Sequence, residues 1–358
     1  MKVCHFTSVH PSNDIRIFVK ECSSLAAAGY EVYLVAQGSS RIENSVHVIG
    51  IGEEPKRRRQ RMISFAESIY EKARSLDCDI YHFHDPELLP FGLKLKKLGK
   101  KVIFDSHEDV PAQIMDKYWI PKPIRGIISS LYRNYETKTV SQFDAVVAAT
   151  DYIAAQFQGR AKVVVDVKNF PKLDDIEYHT QPFAEREAKL CYAGGIDSNR
   201  GEQVMIKAME TVDAQLLIAG EKANIDNQHF KNVYYLGRLN RAGINELYGK
   251  SVAGLVLLLP IGNYVNSLPI KMFEYMAAGL PVIASNFELW KSIVEESQCG
   301  ICVDPYDNVQ VTKAIKTFLD DRTLAQKMGQ NGREWVLKKY NWNNEEKKLL
   351  SLYSEIQT

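Results

Sequence analysis

Short apolar runs recur along the chain and read as buried strands: Val3–Phe6, Val32–Ala36, Val46–Ile49, Ile80–Phe83, Val102–Phe104, Ala145–Ala149 and Val163–Val167. Between most of them the apolar positions take helical spacing. Arg16 to Ala28 is one such stretch, closed by Gly29, and Leu88 to Leu98, closed by Gly99, is another. Strands alternating with helices predict a parallel sheet covered on both faces. The pattern restarts after Asn169-Phe170-Pro171. Residues 172–188 are polar and acidic with no clear period, and read as a linker. Strands follow at Lys189–Ala193, Gln215–Ala219, Val233–Leu236, Ala253–Leu259, Val282–Ala284 and Gly300–Val303, again with helical stretches between them. A closing helix, roughly Asn343 to Ile356, follows the break at Tyr340-Asn341-Trp342. The prediction is an α/β protein of two doubly wound domains, residues 1–170 and 171–340, with 341–358 as a helix packing back on the first. In open parallel sheets ligands bind beyond the carboxyl ends of the strands. Two such sheets facing a central cleft make the strand-to-helix junctions the places to look for chemistry.

Composition changes this picture little. At 358 residues the chain exceeds one compact core, and 45% hydrophobic with 25% charged residues is ordinary globular content. A net charge of +1 makes no case for nucleic acid. The six cysteines, at 4, 22, 78, 191, 299 and 302, lack the density of a disulfide scaffold. Met1 leads into a short strand rather than an apolar leader, and no run approaches the ~18 apolar residues of a membrane span. The expectation is a reduced, cytoplasmic protein.

The junctions carry the candidate chemistry. In NSLPIKMFEYMAAGLPVIAS, residues 266–285, Pro269 suits a first helical turn, and Lys271 and Glu274 sit three apart on one face. Free N–H groups and the helix dipole favour an anion there, Lys271 adds a full charge, and Glu274 suits ribose hydroxyls. The plainer reading is a solvated Lys–Glu pair. In CYAGGIDSNRG, residues 191–201, Gly194-Gly195 lets backbone approach a ligand and Arg200 can clamp a diphosphate. Its plainer reading is a glycine turn with a surface arginine. In the first domain HFHDPELLP (82–90) and FDSHEDVP (103–111) each end a strand with histidine and acid together. His82 and His84 alternate on a strand and so point the same way, but no further ligand set is evident and no metal is expected. HPSNDIRIFVKE (10–21) opens the first helix, with Asn13 or Asp14 as cap and His10, Asn13 and Arg16 able to face the cleft.

Together these stretches resemble family 4 of the retaining glycosyltransferases, on the two-Rossmann GT-B scaffold. The strongest element is PIKMFEYMAAGLPVI, residues 269–283; Gly-Gly…Arg-Gly and the Asn-Phe-Pro hinge agree with it. HDPELL and D-SHED-P are similar to the bacterial branch that builds surface polysaccharides. The resemblance implies that Glu274 holds the donor ribose. The family's first glutamate, seven residues before, is Asn266 here, beside Ser267. The family's Arg/Lys pair becomes Gly195 and Arg200, with Lys271 as the other cation, and His107 matches the histidine that faces the donor sugar.

The implied activity is transfer of a hexosyl unit from a nucleotide diphosphate-sugar to a hydroxyl of a glycan, with retention, domain closure and no metal or cofactor. His107, Arg200 and Lys271 are the expected catalytic residues. Gly194, Gly195, Asn266, Ser267 and Glu274 join the two cations in holding donor, and His10, Asn13, Arg16, His84 and Asp85 are expected on the acceptor side. The basic run Lys56–Arg61 and the basic, aromatic stretch Lys117–Arg133 suit an anionic membrane face, as a lipid-linked acceptor requires, so a cytoplasmic protein peripheral on the membrane is expected. The rivals are a nucleotide-sugar 2-epimerase and a catalytically weak nucleotide-sugar-binding partner protein.

Overall fold

Eight strands make the first sheet of the computed structural model, which describes residues 1–52, 61–221 and 230–357. They are β1 (Lys2–Pro11), β2 (Glu31–Gln37), β3 (Arg41–Glu43), β4 (Val46–Gly50), β5 (Ile80–Phe83), β6 (Lys101–Ser106), β7 (Ala145–Ala148) and β8 (Val164–Asp166). Their order is β3-β4-β2-β1-β5-β6-β7-β8. Every neighbouring pair is parallel except β3–β4. β5 and β7 are buried along their whole length, as parallel strands covered on both faces must be. The antiparallel β3 went unread in the sequence. Arg41-Ile42-Glu43 is too short and too polar to signal a strand. What makes it is a two-residue turn at Asn44 and Ser45, both with positive φ (51° and 60°), the geometry that matches strand twist.

The second sheet holds β9 (Lys189–Ala193), β10 (Gln215–Ala219), β11 (Val233–Gly237), β12 (Ala253–Val256), β13 (Val282–Ser285) and β14 (Gly300–Val303), in the order β11-β10-β9-β12-β13-β14, all parallel. The chain divides into two units, residues 1–169 with 343–358, and residues 170–342. The last helix, Trp342–Gln357, thus completes the first unit, burying Leu349, Leu352 and Tyr353.

In each sheet the strand order reverses once, between β1 and β5 and between β9 and β12. Ligand sites of doubly wound sheets form at such points. The loops after β1, β5, β9 and β12 carry most of the residues singled out in the sequence.

The first helix departs from α geometry. Ile15–Cys22 is π-helical and Ser23–Ala27 α-helical. The Val19 amide bonds back five residues to the Asp14 carbonyl. In an α-helix, residues five apart point about 140° away from each other; in a π-helix they stack. Arg16 and Glu21 are five apart, and both point into the protein.

Candidate active site

Parallel register assembles the site end of the first unit. His5 on β1 pairs with His82 on β5, which pairs with Ile103 on β6. His84 and Asp105, each two residues on, fall on the same face. The π-helix brings in Arg16 and Glu21. The Arg16 guanidinium grips Asp105 through Nε to Oδ2 (3.0 Å) and Nη2 to Oδ1 (2.9 Å), and Nη1 donates to the Val167 carbonyl at 2.6 Å. Arg16 Nε also lies 3.0 Å from Glu21 Oε1. Burial alone would raise the Asp105 pKa, but Arg16 and His107 hold it well below the usual carboxylate range. Burial pushes Glu21 well above that range, against the pull of Arg16. His5, His82 and His84, fully enclosed, have lowered pKa values, first from burial, and are neutral.

Glu21, His82, His84 and Asp105 each bring a ligand-type atom, all within 4.8 Å of one another, a donor set that zinc accepts. Here the Arg16 guanidinium already stands against both carboxyl groups. We read the set as an ion-pair and imidazole network.

Three residues expected to face an acceptor are therefore corrected. Arg16 (4% exposed), His84 and Asp85 are buried. Arg16 is held by Asp105 and Val167. Asp85 accepts from Thr7 Oγ1 (2.7 Å) and the Ser8 (2.6 Å) and Val9 (3.2 Å) amides, which shapes the loop after β1. His10, Asn13 and His107 remain accessible. Asp14, not Asn13, caps the helix, accepting from the Arg16 and Ile17 amides at 2.8 and 2.9 Å. His10 stands between Asp14 (3.4 Å) and Asp85 (3.7 Å), with its ring 5.0 Å from that of His107. Burial would lower its pKa, but Asp14 and Asp85 outweigh this and raise it. His107 Nε2 lies 3.3 Å from Asp105 Oδ2.

The second unit has the opposite character. Gly194, at φ +122°, follows β9, and a Cβ there would lie 3.0 Å from Lys271 Nζ. A Cβ on Gly195 would run into Arg200 Nη1. Gly194 is required by its backbone conformation, and at both glycines a side chain would occupy the space into which the cations now reach. Lys271 Nζ stands over the Tyr192 ring, 3.6 Å from its centroid. Burial, then repulsion from Arg200, lowers the Lys271 pKa to about 7. Arg200 ends a short turn capped by Asp197, whose Oδ1 accepts from the Arg200 amide at 2.9 Å.

The helix Ile270–Ala277 starts after Pro269 with no side-chain cap. Lys271 and Glu274 do not make the solvated pair weighed in the sequence. Glu274 accepts from Arg241 Nη2 (3.0 Å) and the Tyr248 hydroxyl (2.8 Å). A carboxylate has about four lone-pair sites, so this fixes the group and leaves capacity for a ligand. Asn266 is exposed in the preceding loop. Ser267 is turned inward, its hydroxyl donating to the Tyr264 carbonyl and its own carbonyl accepting from Trp290 Nε1.

Residues 17–166 match the family model described as Glycosyltransferase Family 4, and residues 175–335 match Glycosyl transferases group 1. The chain belongs to the family 4 glycosyltransferases. It is 20% identical over 355 residues to a phosphatidyl-myo-inositol mannosyltransferase of Mycobacterium leprae, covering 93% of this chain and 90% of the relative. The fold matches a sucrose-phosphate synthase from Thermosynechococcus elongatus (TM-score 0.78, 17% identity, 99% of each chain). It also matches the Anabaena protein HepE in complex with UDP (TM-score 0.74, 10% identity, 99% of this chain and 100% of the other). The scaffold is GT-B.

Sequence reading missed several residues of this glycosyltransferase. Asp105 and Glu21 lay inside quoted stretches but were passed over. The signal for Asp105 was available: His5, His82 and Asp105 interrupt or end the apolar runs of β1, β5 and β6, and His84 directly follows β5. Arg241 and Tyr248 gave no signal. Nor did Tyr353, whose partners on β1 and β5 the helix spacing does not encode.

Proposed function

We propose that this glycosyltransferase moves a hexosyl unit from a nucleotide diphosphate-sugar to a hydroxyl of a glycan acceptor, with retention. The observation that carries the reading is the pair of cations, Lys271 and Arg200, set against two glycines with no Cβ between them and an approaching anion. A diphosphate is the ligand two such cations suit, and a structural neighbour in complex with UDP supports a nucleotide carrier. The proposed donor residues are Gly194, Gly195, Arg200, Lys271 and Glu274, the last toward the ribose. Lys271 and Arg200 take up charge that develops on the leaving diphosphate, so turnover needs no added metal. His107 is the first unit's proposed contribution to the chemistry, oriented by Asp105.

The acceptor is proposed to be lipid-linked. No helix among the described residues is long and apolar enough to cross a membrane. The helix Lys122–Val140 instead exposes Ile124, Ile127 and Leu131 in one stripe, with Tyr118 (85% exposed) and Trp119 just before it. Lys117, Lys122 and Arg133 accompany them. That mixture suits the headgroup region of an anionic bilayer. The basic run Lys56–Arg61 lies outside the described residues, apart from the backbone of Arg61.

The test is titration of the protein with UDP, GDP, ADP and their sugar conjugates, with and without magnesium, followed by thermal unfolding. A ligand of the native state at a hundred times its Kd adds about 2.7 kcal/mol. Stabilisation by one nucleotide family, lost in Lys271→Ala and unaffected by magnesium, is expected. No stabilisation by any of them would overturn the reading. Proton NMR of the product's anomeric centre checks retention.

A further inference from the structure

A run of close polar contacts leads from Asp105 through His84, His5 and Tyr353 to His82, which points back toward Asp105. His84 Nδ1 lies 3.2 Å from Asp105 Oδ2 and 3.4 Å from His107 Nε2. His84 Nε2 lies 3.0 Å from His5 Nδ1. His5 Nε2 lies 3.0 Å from the Tyr353 hydroxyl, which lies 2.9 Å from His82 Nδ1. His82 Nε2 has no hydrogen-bond partner and points back to within 4.0 Å of Asp105 Oδ2. All five groups are buried.

A neutral imidazole has one N–H and one lone pair, and a carboxylate only accepts. Asp105 is the nearer and the charged neighbour of His84 Nδ1, so that nitrogen is taken to donate to it rather than accept from His107 Nε2, and each step then fixes the next. His84 donates from Nδ1, so its Nε2 accepts from His5 Nδ1. His5 Nε2 then accepts from Tyr353, and the Tyr353 oxygen accepts from His82 Nδ1. His82 Nε2 must end as a bare lone pair, and this is the ring nitrogen that lacks a partner. The tyrosine hydroxyl is the member that both donates and accepts without having a tautomer to choose.

We infer that Tyr353 is a positioning residue for the glycosyltransferase: its hydroxyl, donating to His5 and accepting from His82, holds the polarity that starts at Asp105 and so keeps the His84 donor on that carboxylate, which orients His107. The consequence for catalysis rests on the proposed role of His107; the polarity does not. The last helix is thereby wired to the site end of the first sheet through one oxygen atom. With that oxygen gone, His5 has no donor to face, and the His5–His84 pair is free to reverse and withdraw the Nδ1 proton from Asp105.

The test uses the full chain labelled with 15N-histidine, read by long-range 15N–1H correlation, in wild type and in Tyr353→Phe. In wild type, His5, His82 and His84 are all expected as Nδ1–H tautomers; an Nε2–H tautomer at any of them overturns the polarity. In Tyr353→Phe, His5 or His84 is expected to turn over to Nε2–H. Transfer kcat is expected to fall about tenfold, a fraction of the ~10²–10⁴ that a positioned acid–base group contributes, with donor KM within about twofold. Unchanged tautomers in that variant overturn the role of Tyr353. Switched tautomers with unchanged kcat leave Tyr353 as the group that holds the polarity and overturn the role of His107. If Tyr353→Phe does not fold, the wild-type tautomers alone decide the polarity.

Discussion

The site ends of the two sheets use charge in opposite ways. In the first, Arg16 is engaged: its guanidinium donates to Asp105 and to a backbone carbonyl with Glu21 beside it, and of the neutral histidines behind it His5 bonds His84 while His82 bonds Tyr353. In the second, Lys271 leans on an aromatic face, and it and Arg200 crowd a glycine turn. Both ends hold a buried cation, but only one leaves it with charge to offer. An arginine at a strand end is thus no evidence of a ligand until its partners are counted.

That contrast can be broken experimentally. The largest effect expected is on folding. Arg16→Met strands Asp105 in the interior, and removing one partner of a buried pair costs about 3–5 kcal/mol. His107→Ala, at the accessible edge of the same network, is expected within about 1 kcal/mol of wild type. Urea denaturation of the two variants measures both; similar midpoints would show that Arg16 is no more structural than His107.

Lys271→Ala is expected to fold normally and to lose about 10²–10³ in kcat, the usual loss when one donor to developing negative charge is removed. Retention of turnover would move the anion site elsewhere. Glu274→Gln is expected to raise donor KM roughly tenfold or more, from the ~1.5–3 kcal/mol of a hydrogen bond to a charged group. Steady-state kinetics at fixed acceptor reads it.

The lowered pKa of Lys271 gives a signed expectation. With a pKa of about 7, the lysine in the empty protein is increasingly neutral above pH 7. A bound diphosphate favours the cation, so binding above pH 7 takes up a proton. Affinity should weaken by up to about tenfold per pH unit above 7. Calorimetry at pH 8 in buffers of different ionisation enthalpy counts that proton; zero uptake would mean that Lys271 does not meet the phosphates. The smallest effect belongs to the exposed helix. Ile127→Asp with Leu131→Asp should abolish flotation with anionic liposomes while leaving stability within about 0.5 kcal/mol, and unchanged flotation would remove the membrane from the picture.

The strands were legible because parallel strands covered on both faces must be apolar, and Ile80–Phe83 or Val282–Ser285 leave no other reading. The glycine junctions were legible because a turn at φ +122° tolerates little but glycine. The burial of Arg16 was not. Its spacing from Glu21 signals opposite faces in an α-helix, and only the π register makes them neighbours. Asp85 was misread for a related reason: an acid after a strand looks the same in sequence whether it turns to solvent or ties down the preceding loop. Tyr353 was out of reach, because its partners are contributed by strands at the far end of the chain.

The return of the last helix also sets a schedule. Tyr353 leaves the ribosome 184 residues after Asn169, the end of the first unit's main segment, a delay of roughly 10–40 s at ordinary elongation rates. Through that interval His5 and His82 exist without the hydroxyl that joins them. The second unit, one uninterrupted segment, emerges complete before the first. Although the first unit is begun earlier, it is finished last, and chaperone occupancy during synthesis should concentrate there.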